Sequence, residues 1–206
     1  MSQSVKQCGQ CTAITASGQR CRKRTCRGPV CWIHAKSQHG LRVKPSQIQS
    51  AGLGLYATKR LAKNARIAPY MGEPQTRAQV KAQYGTDTGQ YVLCRSNNEC
   101  FNASKTNASL SRFANDARGS KYTNNAKFTP GAPSGTPLLR ATRTIPAGRE
   151  IFTSYGREYW SSPGHPGRHG SPRCQHFSHQ PDTAERRDER LVGHRDVSTH
   201  NRSLQQ

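Results

Sequence analysis

A mostly-β fold of short strands, preceded by a small cysteine-rich module, is what this sequence predicts, and three observations lead there. Short apolar runs at residues 53–58, 65–71, 91–94, 138–142 and 150–155 are separated by Gly, Pro and Asn turn formers. One segment, 76–84, reads as a helix, with Thr76 placed to cap it and Ala78, Val80, Ala82 and Gln83 tolerant of helical geometry. Five of the eight cysteines crowd between Cys8 and Cys31, in a stretch too small to build a core of its own.

Composition divides the chain of 206 residues into three parts. Residues 1–44 carry nine Lys or Arg, no Asp or Glu and five Cys, which places a basic Cys/His-rich module at 1–39. Residues 40–160 hold the apolar clusters and most aromatics, so the one large core belongs there. From 161 to 206 the chain turns to Pro, six His, seven Arg and no Lys. Such a segment buries too little surface to offset its ordering entropy and is read as a disordered tail. Cys174, His176 and His179 within it form a three-ligand group with no fourth, better explained as a chance cluster.

A net charge of +21 and a pI near 10.4 point to an acidic partner or to work near nucleic acid, although a solvated basic surface has the same composition. No run reaches the roughly 18 apolar residues of a membrane span, and the first residues lack the apolar region of a signal peptide. The expectation is an intracellular protein with no membrane partner. In a reducing compartment, metal explains clustered cysteines better than disulfides do.

The amino-terminal ligands run Cys8, Cys11, Cys21, Cys26, Cys31 and His34, six candidates for a tetrahedral zinc that needs four. The stretch from Cys11 to Cys21, with Thr15 and Gly18 inside it, followed by Cys31-Trp-Ile-His34, resembles small zinc modules of the form C…T-x-x-G-x-x-C…C-W-x-H. That resemblance implies Cys11, Cys21, Cys31 and His34 as the ligands, Gly18 as a tight turn and Trp32 packed over the loop. Cys8 and Cys26 are left as spare thiols, replacement ligands or members of a larger cluster. Arg20, Arg22, Lys23, Arg24 and Arg27 lie between the ligands, a basic block able to contact phosphate backbones without base readout or simply to aid solubility.

Three further segments carry the chemistry: Ala51-Gly-Leu-Gly-Leu-Tyr-Ala57, Ser111-Arg-Phe-Ala-Asn-Asp116 and Gly148-Arg-Glu-Ile-Phe-Thr-Ser-Tyr-Gly156. Gly52 and Gly54 let backbone approach a ligand closely, and no phosphate-cradling motif accompanies them. In this order, with Tyr70-Met-Gly-Glu73 after the first and Asn124-Asn-Ala-Lys-Phe128 after the second, the segments resemble the SET domain of protein lysine methyltransferases.

The resemblance covers about residues 40–160 and implies a SET-like fold with a knot-like C-terminal segment. It implies S-adenosylmethionine as cofactor and a protein substrate presenting a lysine, with histone tails first and a chromatin or nuclear location. Tyr155 becomes the catalytic tyrosine. Gly52, Leu53, Gly54, Arg112, Phe113, Asn115, Asp116 and Tyr155 become the cofactor site, Arg112 also bracing the fold. Tyr70, Tyr91, Phe152, Tyr159 and Trp160 become walls of a lysine channel. Glu73 is read as a structural hydrogen-bonding residue. Asp116 stands where the family has His, and Arg149 where it has an acid. These departures favour the alternative of an inactive SET-like scaffold whose zinc module binds nucleic acid or a protein. After Trp160 nothing offers the cysteine spacing with which many members close the channel.

Overall fold

The computed structural model describes residues 8–49, 51–105, 108–131 and 135–161, and within them the chain is built from short antiparallel strands. Apart from Ser161, the tail lies outside the described residues, and with it Cys174, His176 and His179. In chain order the elements are β1 (Gly9–Gln10), β2 (Arg24–Thr25), α1 (Trp32–His39), β3 (Leu41–Pro45), β4 (Leu53–Ala57), β5 (Arg66–Pro69), β6 (Glu73–Gln75) and α2 (Arg77–Tyr84). There follow β7 (Val92–Ser96), β8 (Glu99–Asn102), a 3-10 turn at Ser111–Phe113, β9 (Ala126–Thr129), β10 (Leu138–Ala141), β11 (Glu150–Ile151) and α3 (Arg157–Ser161). Among the described residues no helix is long and apolar enough to cross a membrane.

β1 pairs with β2, and three small sheets follow in the orders β5-β10-β9, β11-β4-β3 and β6-β8-β7. Strand β4 lies between two neighbours and is buried from Gly54 to Ala57, which is why its sequence is continuously apolar rather than alternating. Leu41, Leu55, Leu139, Ile145 and Ile151 are fully buried at the centre. Each contributes about 1.5 to 3 kcal/mol by leaving water. Cys11, Ala13, Cys21, Val30, Cys31 and Ala35 belong to the same cluster, so the amino-terminal module and the sheets share one core.

The C-terminal segment is the knot-like feature. Glu150 and Ile151 pair with Tyr56 and Leu55 on β4. On its other side the amide of Thr153 donates to Asn115 O at 2.8 Å, and Phe152 O accepts from Asn125 and Ala126. Asn125 completes the grip through its side chain, accepting from Phe152 N and donating to Glu150 O, each at 2.9 Å. Four chain segments thus cross at one place.

Helix α2 forms as the sequence predicts. Thr76 accepts from Gln79 N while Gln79 Oε1 accepts from Thr76 N, and Gly85 ends the helix with φ of 74°. Two helices were not expected. Helix α1 has no apolar stripe and buries only Ala35; Cys31 at its N-cap and His34 three residues on share one side of its first turn, and Gly40 at φ of 65° stops it.

The cysteines bring a correction. Cys8 and Cys26 are bonded to each other, and Cys94 and Cys100 form a second disulfide. The reason is register. Gly9 faces Thr25 across β1 and β2, which puts Cys8 opposite Cys26, and Cys94 faces Cys100 directly across β7 and β8. Side chains so paired lie within bonding reach, with Cα atoms 4.1 and 3.9 Å apart.

Candidate functional site

Two constellations emerge, and the first is at the amino terminus. A tight turn with Gly18 at φ of 75° returns the chain from Cys11 to Cys21, the amide of Cys21 donating to Ala13 O at 2.8 Å. Helix α1 then presents Cys31 and His34. One ligand atom each from Cys11, Cys21, Cys31 and His34 lies within 4.8 Å of the others, with His34 Nδ1 3.5 and 3.4 Å from the sulfurs of Cys11 and Cys31. A tetrahedral zinc with bonds near 2.3 Å asks for ligands about 4 Å apart, and this donor set fits it. Trp32 is half-buried where α1 begins.

Electrostatics also favour a cation. Burial is the largest influence on Cys11 and resists its ionisation, but hydrogen bonds with the Cys31 and Ala13 backbone and with the neighbouring thiols outweigh it, and its pKa falls. Burial pushes Cys31 up to about 11, and the neighbouring Cys11 charge adds to the rise. A divalent ion is what would let several thiolates stand together. The disulfide removes Cys8 and Cys26 from the ligand candidates.

The second constellation brings the three segments together at one side chain. Asn115 donates from Nδ2 to Leu53 O at 3.0 Å and to Glu150 Oε1 at 3.3 Å, while its Oδ1 accepts from the Tyr155 hydroxyl at 3.4 Å. Residues 62 and 40 positions away are joined through one amide. Glu150, to which the sequence assigned no role, holds this frame. Only 1% exposed, it accepts from Ser46 Oγ and Gln47 N at 2.7 Å and from the Tyr56 hydroxyl at 2.9 Å. Burial, then the hydrogen bond and charge of Glu150, raise the Tyr56 pKa, so that hydroxyl remains a donor.

The two glycines of the first segment separate here. Gly54 is close-packed against protein, since a Cβ there would lie 2.1 Å from Glu150 Oε1 and 3.3 Å from Ser46 Cα. Its missing side chain makes room for Glu150, not for a ligand. Gly52 has φ of 71° with open space on its side-chain face, and it remains available to a ligand.

Asp116 and its neighbours also need correction. The Asp116 carboxylate is 2% exposed and accepts four hydrogen bonds, from Arg118 N and Asn124 Nδ2 on Oδ1 and from Tyr155 N and Trp160 Nε1 on Oδ2. A carboxylate has about four acceptor positions, so none is left for a cofactor. Phe113 is packed in the main core. Arg112 donates to Ser104 O and Lys105 O and stacks 3.8 Å above the Tyr91 ring, which makes it a brace. Arg149 is exposed, away from these contacts. Glu73 forms an exposed ion pair with Lys105 at 3.1 Å.

The channel candidates divide as well. Tyr155 packs edge to face on Tyr159 at 4.8 Å and lies nearly parallel to Trp160 at 6.0 Å. Tyr70 donates to Tyr91 O at 2.8 Å. Tyr159, Tyr70 and Tyr91 are all near enough to act on the Tyr155 hydroxyl, whose pKa burial raises well above the ordinary value. The residue keeps 36% of its surface exposed, so that burial belongs to its hydroxyl end. Phe152 is elsewhere. It stacks on Tyr122 at 5.3 Å in a separate cluster with Ile48 and Ala117, because it points to the opposite side of the strand from its neighbours.

A family model for the SET domain matches residues 52–156, just over half of the chain and all three segments but for Ala51. The methyltransferase domain of human PR domain-containing protein 2 is similar, at 21% identity over 61% of this chain and 82% of that chain, with a TM-score of 0.45. No curated protein matches. On the family match, the chain belongs to the SET-domain family of methyltransferases.

Proposed function

We propose that this chain is an S-adenosylmethionine-dependent protein lysine N-methyltransferase acting on histone tails or another basic protein, with a structural zinc in its amino-terminal module. The observation that carries the proposal is Asn115, whose amide joins the Leu53 carbonyl to the Tyr155 hydroxyl. The residues left after the corrections suit the cofactor: Gly52 with its open face, the Leu53 backbone, Asn115 and Tyr155. When bound, S-adenosylmethionine supplies a methyl group on a sulfonium, ready for in-line displacement by an amine.

The chain's task is then alignment and desolvation. Tyr155, its pKa raised by burial, keeps its proton and acts as a hydrogen-bonding group that orients the reacting centre, not as a base. The Asp116 carboxylate is spent on protein donors, so it takes no proton from the substrate. The lysine loses its proton because an apolar aromatic channel lowers an amine pKa. Tyr70, Tyr91, Tyr159 and Trp160 are the residues proposed to wall that channel.

Transfer of a labelled methyl group from S-adenosylmethionine to mixed histones tests this reading. Tyr155→Phe is expected to lower kcat by about a hundredfold with the fold intact. Undiminished transfer in that variant, or none by the zinc-loaded wild type, contradicts it.

A basic surface favours a second partner. The first acidic residue of the chain is Glu73, and Lys36, Arg42, Lys44, Lys59, Arg60, Lys63 and Arg66 are all exposed. The module's Arg20 and Arg24 instead donate to carbonyls of Gln10, Cys11 and Cys8. We infer non-specific nucleic-acid contact by α1, β3 and residues 58–66, in keeping with work on chromatin. Affinity for random duplex DNA should fall steeply with salt and drop in Lys59→Glu/Arg60→Glu; salt-independent affinity would exclude it.

A further inference from the structure

Asp116 does more than fill the place of another residue. Its Oδ2 accepts two hydrogen bonds of 2.9 Å, one from the backbone of Tyr155 and one from the indole of Trp160 on α3. Its Oδ1 is fixed by Arg118 N at 2.9 Å and Asn124 Nδ2 at 3.1 Å, so the carboxylate cannot turn to release either partner alone. Trp160 lies nearly parallel to the Tyr155 ring, and Arg118 lies 5.7 Å from the indole centroid. An imidazole at this position has one acceptor nitrogen at most and could not hold four donors.

We propose that Asp116 is a positioning residue that latches α3 onto Tyr155, so that Tyr159 and Trp160 form the wall of the substrate lysine channel. The latch rests on the methyltransferase reading for its purpose, although its geometry does not. Tyr159 meets both partners, at 4.8 Å from Tyr155 and 5.2 Å from Trp160, so displacing the indole disturbs the whole aromatic group. Charge-assisted hydrogen bonds in a buried setting are the strong kind, which suits a short helix that buries none of its residues. The departure from the family motif therefore builds the channel rather than abolishing it.

The test uses the full chain. The sequence has two Trp, so Trp32→Phe leaves Trp160 as the only indole. In that background Asp116→Ala is expected to shift Trp160 emission to the red and to raise its quenching by acrylamide. Methyl transfer should show kcat/KM for a lysine peptide reduced at least about tenfold, with S-adenosylmethionine affinity nearly unchanged. Trp160→Phe should reproduce the loss, and the double variant should lose no more than the worse single one. Unchanged emission and quenching in Asp116→Ala overturn the latch.

Should Asp116→Ala fail to fold, the wild-type protein decides. The Trp160 indole N–H is expected to exchange slowly with solvent by NMR, and exchange at the free-indole rate overturns the proposal. Neither optical nor exchange measurements need turnover. A protein that transfers no methyl group would therefore count against the enzyme reading while leaving the latch to stand or fall by itself.

Discussion

The amino-terminal cluster and the Asn115 site are assembled by opposite means. Cys11, Cys21, Cys31 and His34 come from 24 consecutive residues, and in the absence of a cation they set thiols against one another, with Cys31 pushed up to about 11 by burial. The Asn115 site draws on residues from Ser46 to Trp160, and there Glu150 and Asp116 each accept four hydrogen bonds. One region has a donor set that fits a metal ion; the other is held together by the protein's own hydrogen bonds. On the function proposed above, the difference separates a folding element from a reaction element, although both share the main core.

Metal removal should have the largest effect. Structural zinc in modules of this size carries roughly 10 kcal/mol or more of apparent binding free energy. Metal analysis is expected to find one zinc per chain, and chelation or Cys31→Ser should unfold the module and lower the melting temperature of the shared core. A metal-free protein with unchanged melting would dissolve the contrast between the two regions.

The Asn115 frame should be broken next most strongly by Gly54→Ala. The new Cβ at 2.1 Å from Glu150 Oε1 forces the carboxylate away from Ser46 and Asn115, at a cost of about 2 to 4 kcal/mol. Gly52→Ala meets open space and is strained only by its φ of 71°, costing about 1 to 2 kcal/mol. Chemical denaturation of both variants checks the order. Equal losses would mean that Glu150 does not occupy the space at Gly54.

How legible these regions were follows from the same contrast. The ligand set could be recognised because its spacing is local. The order of the three segments was also visible, and one residue from each, Leu53, Asn115 and Tyr155, meets the others through the Asn115 amide. What order along the chain cannot supply is side-chain direction. Phe152 and Tyr155 are three residues apart, yet one stacks on Tyr122 and the other on Trp160. Asp116 read as a damaged cofactor contact because its four donors come from residues up to 44 positions away. The disulfides were hidden for a related reason: they depend on strand register, which pairs Cys94 with Cys100 across a hairpin and Cys8 with Cys26 across two-residue strands. Helix α1 left no apolar periodicity to read, since it buries only Ala35.

The central claim is that Asn115 gathers three distant segments into a cofactor site. Calorimetric titration of the zinc-loaded chain with S-adenosylmethionine, beside Asn115→Ala, tests it most directly. The wild type should bind, and the variant should bind at least about tenfold more weakly while its fold persists, because the lost amide holds Leu53 against Tyr155. Absence of binding by the wild type, or equal binding by the variant, would contradict the claim.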